Sequence, residues 1–309
     1  MDLHLSNQAT LDWTGDCLAI GVTESDLPLS GTLVDLDTKL SGLIQELIEE
    51  TEFKAAADSS ATIRVGKTGP FRKLALIGLG NPQALTLETL RRAGAQAARL
   101  GKKEKSPVLG LALPSWNGDR ALSAQAILEG ALLALHEDHR FKSESDDKSF
   151  TFDRIELIGF PDEAPALARA QQVADGVILA RELVAAPPNV ATPAMLAETA
   201  ATIAQDHSLE VEILDREACE ALGMGAFLGV AQASDLPPKF IHLTYKPAAP
   251  PRRKVAIIGK GLTFDSGGLN IKAGAGSMIE MMKFDMGGAA ATLGAATAIA
   301  QINPDVEVH

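Results

Sequence analysis

Two amines and two carboxylates fall close together near the end of this 309-residue chain. Lys260-Gly-Leu-Thr-Phe-Asp265-Ser-Gly-Gly-Leu-Asn-Ile-Lys272 is followed, after a loop containing glycine and methionine, by Asp285. Each residue alone has a structural reading. Asp285 suits a helix N-cap, Asp265 an Asx-turn, and each lysine a solvated surface charge. The pattern argues for more. Gly259, Gly261, Gly267 and Gly268 allow tight turns and close approach to a ligand. The segment also follows Lys254-Val-Ala-Ile-Ile-Gly259, whose apolar run predicts a central parallel strand. Catalysts and ligands of α/β sheets collect at the carboxyl ends of such strands. Lys260, Asp265, Lys272 and Asp285 are therefore read together as a site.

The elements that must carry this site alternate in type. Residues 17–22, 61–65, 73–78, 107–113 and 154–159 read as strands, and residues 40–50, 87–100 and 123–136 as helices, the first with Leu43, Ile44, Leu47 and Ile48 on one face. This spacing predicts an N-terminal α/β domain, residues 1–163, with a mostly parallel sheet. An alanine-rich helix over 164–186 links it to a second α/β domain, residues 187–309. There Thr192 and Pro193 occupy the N-cap and first turn of a helix, residues 210–214 and 240–245 read as strands, and 216–222 as a short helix. Asp285 is expected to open a helix of small residues. Glu144 to Lys148, with Ser143, is charged and aperiodic and reads as a surface loop.

Other motifs fail on spacing. Gly66-Lys67-Thr68 lacks the glycine a phosphate-binding loop needs, since Ala61 stands there, and Gly78-Leu-Gly80 lacks the third glycine of a dinucleotide fingerprint, where Gln83 stands. His136 and His139 have a metal-compatible separation but read better as cations at a helix end, and His242 as a structural strand residue. No Gly-x-Ser-x-Gly elbow is found. A formal net charge of −12 argues against nucleic-acid binding. Two distant cysteines, Cys17 and Cys219, exclude a disulfide framework, the stretch MDLHLSNQATLDW lacks the basic region and apolar run of a signal peptide, and no apolar run is long enough to span a bilayer. The expectation is a soluble protein of the cytoplasm.

Residues 255–268 and Met282-Lys-Phe-Asp-Met-Gly-Gly-Ala-Ala290 closely resemble the leucyl (cytosol) aminopeptidase family. Residues 181–193, 224–234 and 237–247 resemble it in the same order, so that the likeness is strong from about 175 to 302. It implies a two-metal exopeptidase that releases N-terminal residues, leucine prominently, from peptides with a free N-terminus, as a homohexamer. By the resemblance, Lys260, Asp265 and Asp285 are metal ligands for Mn²⁺, Zn²⁺ or Mg²⁺, and Lys272 stabilises the transition state. Met278 and Met282 are expected to line the substrate pocket. A coordinating lysine must lose its proton, at roughly 4–5 kcal/mol at pH 7, which only a nearby dication in a dry pocket offsets. Lys272 would keep its proton and face the developing oxyanion.

The family's second catalytic motif, Asn-Thr-Asp-Ala-Glu-Gly-Arg, is absent. It supplies further carboxylates and an arginine associated with bicarbonate. The chain is therefore expected to be truncated within its catalytic domain, to bind no tight metal pair by itself, and to be inactive. The alternative is a non-catalytic interaction or nucleic-acid-binding protein on the same scaffold.

Overall fold

A computed structural model describes residues 1–66, 69–143 and 150–309; Lys67, Thr68 and the charged loop read at Glu144–Lys148 lie outside them. The chain divides into two compact units, 1–137 with 142–171 and 138–141 with 172–309.

The first unit is a six-stranded sheet between helices. In chain order it contains β1 (Asp2–Ser6), β2 (Gly15–Thr23), α1 (Thr32–Lys39), α2 (Leu43–Thr51), β3 (Ser60–Arg64), β4 (Phe71–Gly80), α3 (Leu87–Lys103), β5 (Val108–Ala112), α4 (Arg120–Leu135) and β6 (Arg154–Ile158). The strand order is β1-β6-β5-β2-β4-β3. All pairs are parallel except β3 with β4. The parallel sheet expected from the strand–helix alternation is thus present.

Alternation along each strand divides the core. Cys17, Ala19, Ala75, Ile77, Leu109 and Leu111 face α3 and α4, whereas Leu18, Ile20, Leu74 and Leu76 face α1 and α2. Sequence reading runs one helix from residue 40 to 50. The structure starts that helix at Leu43 as α2 and adds an unread helix before it, α1, because Ser41 and Gly42 both take positive φ and separate the two. Asp37 in α1 then caps α2 from outside, its Oδ1 accepting from the Ile44 N–H at 2.7 Å and the Gln45 N–H at 3.1 Å. Short β1 also escaped the reading, with only Leu3 and Leu5 as apolar residues among polar ones.

Helices α3 and α4 touch backbone to backbone. A Cβ at Gly94 would stand 2.2 Å from the Ile127 carbonyl oxygen, and one at Gly130 1.9 Å from that of Arg91. Each helix begins on a side-chain cap, Thr86 for α3 and Asp119 for α4. Beside the crossing, Arg91 donates through Nε and Nη2 to buried Glu129 at 3.0 and 2.9 Å.

Helix α5 (Ala164–Ala185) contains the division between the units. The second unit continues with α6 (Pro193–His207), β7 (Glu210–Leu214), α7 (Arg216–Ala221), α8 (Gly225–Ala231), β8 (Phe240–Thr244), β9 (Lys254–Val255), α9 (Gly287–Ile302) and β10 (Glu307–Val308). Thr192 caps α6 by accepting from the Met195 N–H at 3.2 Å, with Pro193 in the first turn, as the sequence predicts. Leu183, Leu196, Ala200, Ile203, Met286, Ala290 and Leu293 form the core of this unit. Gly176 of α5 and Gly294 of α9 let those helices meet, since a Cβ at Gly294 would stand 2.2 Å from the Gly176 carbonyl oxygen.

One expectation fails. Residues 254–259 do not form a buried central strand: only Lys254 and Val255 pair, parallel to Glu307 and Val308. Ile257 is 41% and Ile258 94% exposed. A central strand needs a ladder on each edge and cover on both faces. Among the described residues β9 has one partner strand, so the apolar run stays irregular and open.

Candidate active site

The loop leaving β9 runs over the start of α9. The Ala289 N–H donates to the Lys260 carbonyl at 2.8 Å, while a Cβ at Gly288 would come 2.7 Å from the Lys260 nitrogen. A Cβ at Gly259 would stand 2.4 Å from the Gly288 carbonyl oxygen. Two facing glycines therefore set how near Lys260 lies to the helix. Asp285 closes a 3₁₀ turn over Ile279–Phe284, its N–H donating to the Met282 carbonyl at 3.1 Å. Asp285 is one residue short of the helix cap expected from sequence: the N-cap of α9 is Met286, whose side chain is buried. The Asp285 carboxylate is thereby left for side-chain contacts. Its Oδ2 lies 3.8 Å from Lys260 Nζ.

Asp265 and Lys272 form a second pair. Asp265 Oδ1 accepts from the Gly267 N–H at 2.8 Å, the Asx-turn weighed in the sequence, and Gly267 holds φ at +96°. A Cβ at Gly267 would stand 2.5 Å from the Asn270 carbonyl oxygen, so the turn depends on glycine there. Lys272 Nζ donates to Asp265 Oδ2 at 3.0 Å and contacts Met282 Sδ at 3.2 Å. The Asp265 carboxyl is held below the usual aspartate range, first by the Lys272 hydrogen bond and then by the Gly267 N–H and the charges of Lys272 and Lys260, against the opposing effect of burial.

The structure thus joins Lys260 to Asp285 and Lys272 to Asp265 and Met282, and the field of Lys260 reaches Asp265. Met278 lies at the start of the 3₁₀ turn and is 56% exposed. Sequence reading overlooked Gly288, whose missing side chain admits Lys260, and Ser277, whose hydroxyl donates to the Lys272 carbonyl. The paired Gly287-Gly288 ahead of an alanine-rich helix was the available signal for the first; nothing distinguished Ser277 among the chain's serines.

The donor chemistry suits part of a metal centre. Two donors on one ion with bonds near 2.1 Å lie at most about 4.2 Å apart, and Lys260 Nζ and Asp285 Oδ2 are within that span. Two divalent ions bring four positive charges and two carboxylates return two, so Lys260, Asp265 and Asp285 complete no pair of shells. Among the described residues no group of three or more His, Cys, Asp or Glu stands ready to hold a metal. The residues fit as a share of a larger ligand set.

Known proteins place this arrangement. Residues 19–145 match the N-terminal domain of the cytosol aminopeptidase family, and residues 178–309 its catalytic domain. Proteins named probable cytosol aminopeptidase from Nostoc punctiforme and Trichormus variabilis are 61% and 59% identical over the whole chain. The chain spans 62% and 63% of their lengths. A mutant of tomato leucine aminopeptidase is 39% identical, with a TM-score of 0.88, over all of this chain and 61% of its own. The bottromycin maturation enzyme BotP in complex with Mn is 26% identical, with a TM-score of 0.78, over 96% of this chain and 58% of its own. Both domains of one architecture are matched in order, and this protein belongs to the cytosol aminopeptidase family.

Proposed function

We propose that the full-length protein is a metal-dependent aminopeptidase that releases N-terminal residues, leucine preferentially, from peptides in the cytoplasm, and that it works as a homohexamer. The observation that carries this reading is the juxtaposition of Lys260 with Asp285 at 3.8 Å and of Lys272 with Asp265 at 3.0 Å, inside the segment matched to the family's catalytic domain. The tomato and BotP neighbours, one named a leucine aminopeptidase and the other described with Mn, support the substrate and the metal. No helix among the described residues is long and apolar enough to cross a membrane.

In this reading Lys260, Asp265 and Asp285 hold their share of two divalent ions, Mn²⁺ or Zn²⁺ or else Mg²⁺, with bicarbonate as an accessory base. When bound, such ions supply Lewis-acid chemistry, polarising the scissile carbonyl and activating water. Asp285 lies beside Lys260, and binding would exchange the present ion pair for donation by an uncharged amine. Lys272 stabilises, through its ammonium, the oxyanion that develops as the amide is attacked. Its contact with Asp265 orients the ammonium. Met278 and Met282 line the pocket for the first side chain. The 309-residue chain, with only part of the ligand set, turns over no substrate.

The test uses the full-length protein and leucine p-nitroanilide. Chelation should abolish hydrolysis and added Mn²⁺ or Zn²⁺ restore it, and Lys260→Met should lower kcat/KM by about 10³ or more. Hydrolysis that survives both treatments overturns the proposal.

A further inference from the structure

The first unit contains a cavity of about 480 Å³ that the peptidase chemistry does not use. It opens beyond the carboxyl ends of β2, β5 and β6, where Ile20, Ala112 and Ile158 reach its wall. Its place follows from the topology. From β2 the chain proceeds toward β4 on one side, and from β5 toward β6 on the other, although β2 and β5 are hydrogen-bonded neighbours. Connections that diverge from adjacent parallel strands leave a crevice between them, and ligands of open α/β sheets occupy such crevices. A volume of this size is in the range of small-molecule sites.

The lining combines three kinds of group. Leu33, Leu113, Pro114 and Phe160 supply an apolar wall. Arg120 supplies a cation: Nη2 donates to the Gly159 carbonyl at 2.5 Å, Nε faces Glu163 at 3.5 Å, and the guanidinium lies 5.1 Å from the Phe160 ring centre. A guanidinium has five donors, so these contacts hold it in place with donors to spare. Opposite in sign, Asp26 is fixed through Oδ2, which accepts from the Thr23 N–H and hydroxyl, both at 2.7 Å. Its fixed carboxylate can accept further hydroxyl donors. Ser30, Thr32 and Ser115 add hydroxyls. A held cation, a held carboxylate and hydroxyls around an apolar wall match a ligand that carries an oxyanion and sugar hydroxyls on one small body.

We propose that this cavity binds a sugar phosphate, free or as part of a nucleotide, with Arg120 on the phosphate and Asp26 on a sugar hydroxyl. The first turn of α1, which has no side-chain cap, borders the same space.

Calorimetry on the full chain with AMP, ribose 5-phosphate, adenosine and inorganic phosphate tests this. Saturable binding of ribose 5-phosphate and AMP is expected, with adenosine and inorganic phosphate each at least about tenfold weaker. Equal affinity for the first two assigns the free sugar phosphate, and a clear preference for AMP the nucleotide. Arg120→Gln should weaken binding at least about tenfold, and Ser115→Phe, which fills the space from a different element, should abolish it. Circular dichroism melting shows that each variant folds. Absence of binding by both organic phosphates up to about 10 mM, or affinity unchanged in a folded variant of either kind, overturns the proposal. So does inorganic phosphate binding as tightly as its organic forms.

Discussion

Lys272 holds its ammonium 3.0 Å from each carboxylate oxygen of Asp265. The two residues are seven apart in sequence and meet because the Gly267 turn reverses the chain between them. Their pairing, the Lys272 hydrogen bond foremost, draws the Asp265 carboxyl below its ordinary range.

A titration reads that pairing. The folded pKa of Asp265 lies below its ordinary value of about 3.9. A depressed carboxyl pKa stabilises the fold fully above the unfolded value, and the contribution is lost as pH falls through the folded one. Stability of the second unit should therefore fall with acid below about pH 4 through this group. Lys272→Met should raise the Asp265 midpoint, followed by the carboxyl ¹³C shift. An unmoved midpoint would assign the effect to the Gly267 N–H and Lys260 instead.

Gly288→Ala tests how Lys260 is placed. In an exposed helix interior, glycine to alanine gains roughly 1 kcal/mol. Here the added methyl would stand 2.7 Å from the Lys260 backbone nitrogen, which no side-chain rotation relieves. The clash should outweigh propensity and destabilise the second unit by about 1–3 kcal/mol in urea unfolding. In the full-length protein, aminopeptidase kcat/KM should fall with it. A gain in stability would show that the loop shifts without cost.

The first unit offers a sharper case at the α3–α4 crossing. Gly130→Ala would set a methyl 1.9 Å from the Arg91 carbonyl oxygen, backbone against backbone. The helices must separate, and the half-buried Arg91–Glu129 contact beside them stretches with the crossing. We expect a loss of about 3 kcal/mol, near the upper end for overpacking. Chemical denaturation followed by fluorescence of Trp13, which is buried in this unit, measures it. A loss under about 1 kcal/mol would mean that the helices yield readily.

The legible parts of this chain were those whose signals are local. Cys17–Val22 and Lys73–Gly78 read as strands because apolar runs bounded by turn residues specify them, and Thr192-Pro193 marked a helix start through capping alone. The break at Ser41-Gly42 was not legible, since Asp37 caps α2 only once α1 has formed. The open state of Ile257 and Ile258 was legible only through the missing second motif, because an apolar strand itself carries no record of whether its partners are present. Within the candidate site, residue types and glycine spacing marked Lys260, Asp265, Lys272 and Asp285. Their pairing into Lys260–Asp285 and Lys272–Asp265 depended on the 3₁₀ turn and the Gly267 reversal, which residue types alone do not specify.

Ile258 stands in water rather than inside a sheet. At 94% exposed, and with Phe264, Leu269 and Ile271 also open at 42%, 107% and 60%, it belongs to an apolar stretch in the second unit. Such stretches bind hydrophobic dyes and promote self-association. The 309-residue chain should enhance anilinonaphthalene sulfonate fluorescence, and Ile258→Lys should reduce that signal with little change in stability, because a lysine here remains in water. In the full-length protein the same substitution should behave oppositely. If additional strands complete the sheet beside β9, a lysine at 258 becomes buried without a partner and costs about 3 kcal/mol or more. Equal, small effects in both proteins would mean that Ile258 stays exposed and that the apolar run serves a contact other than the sheet.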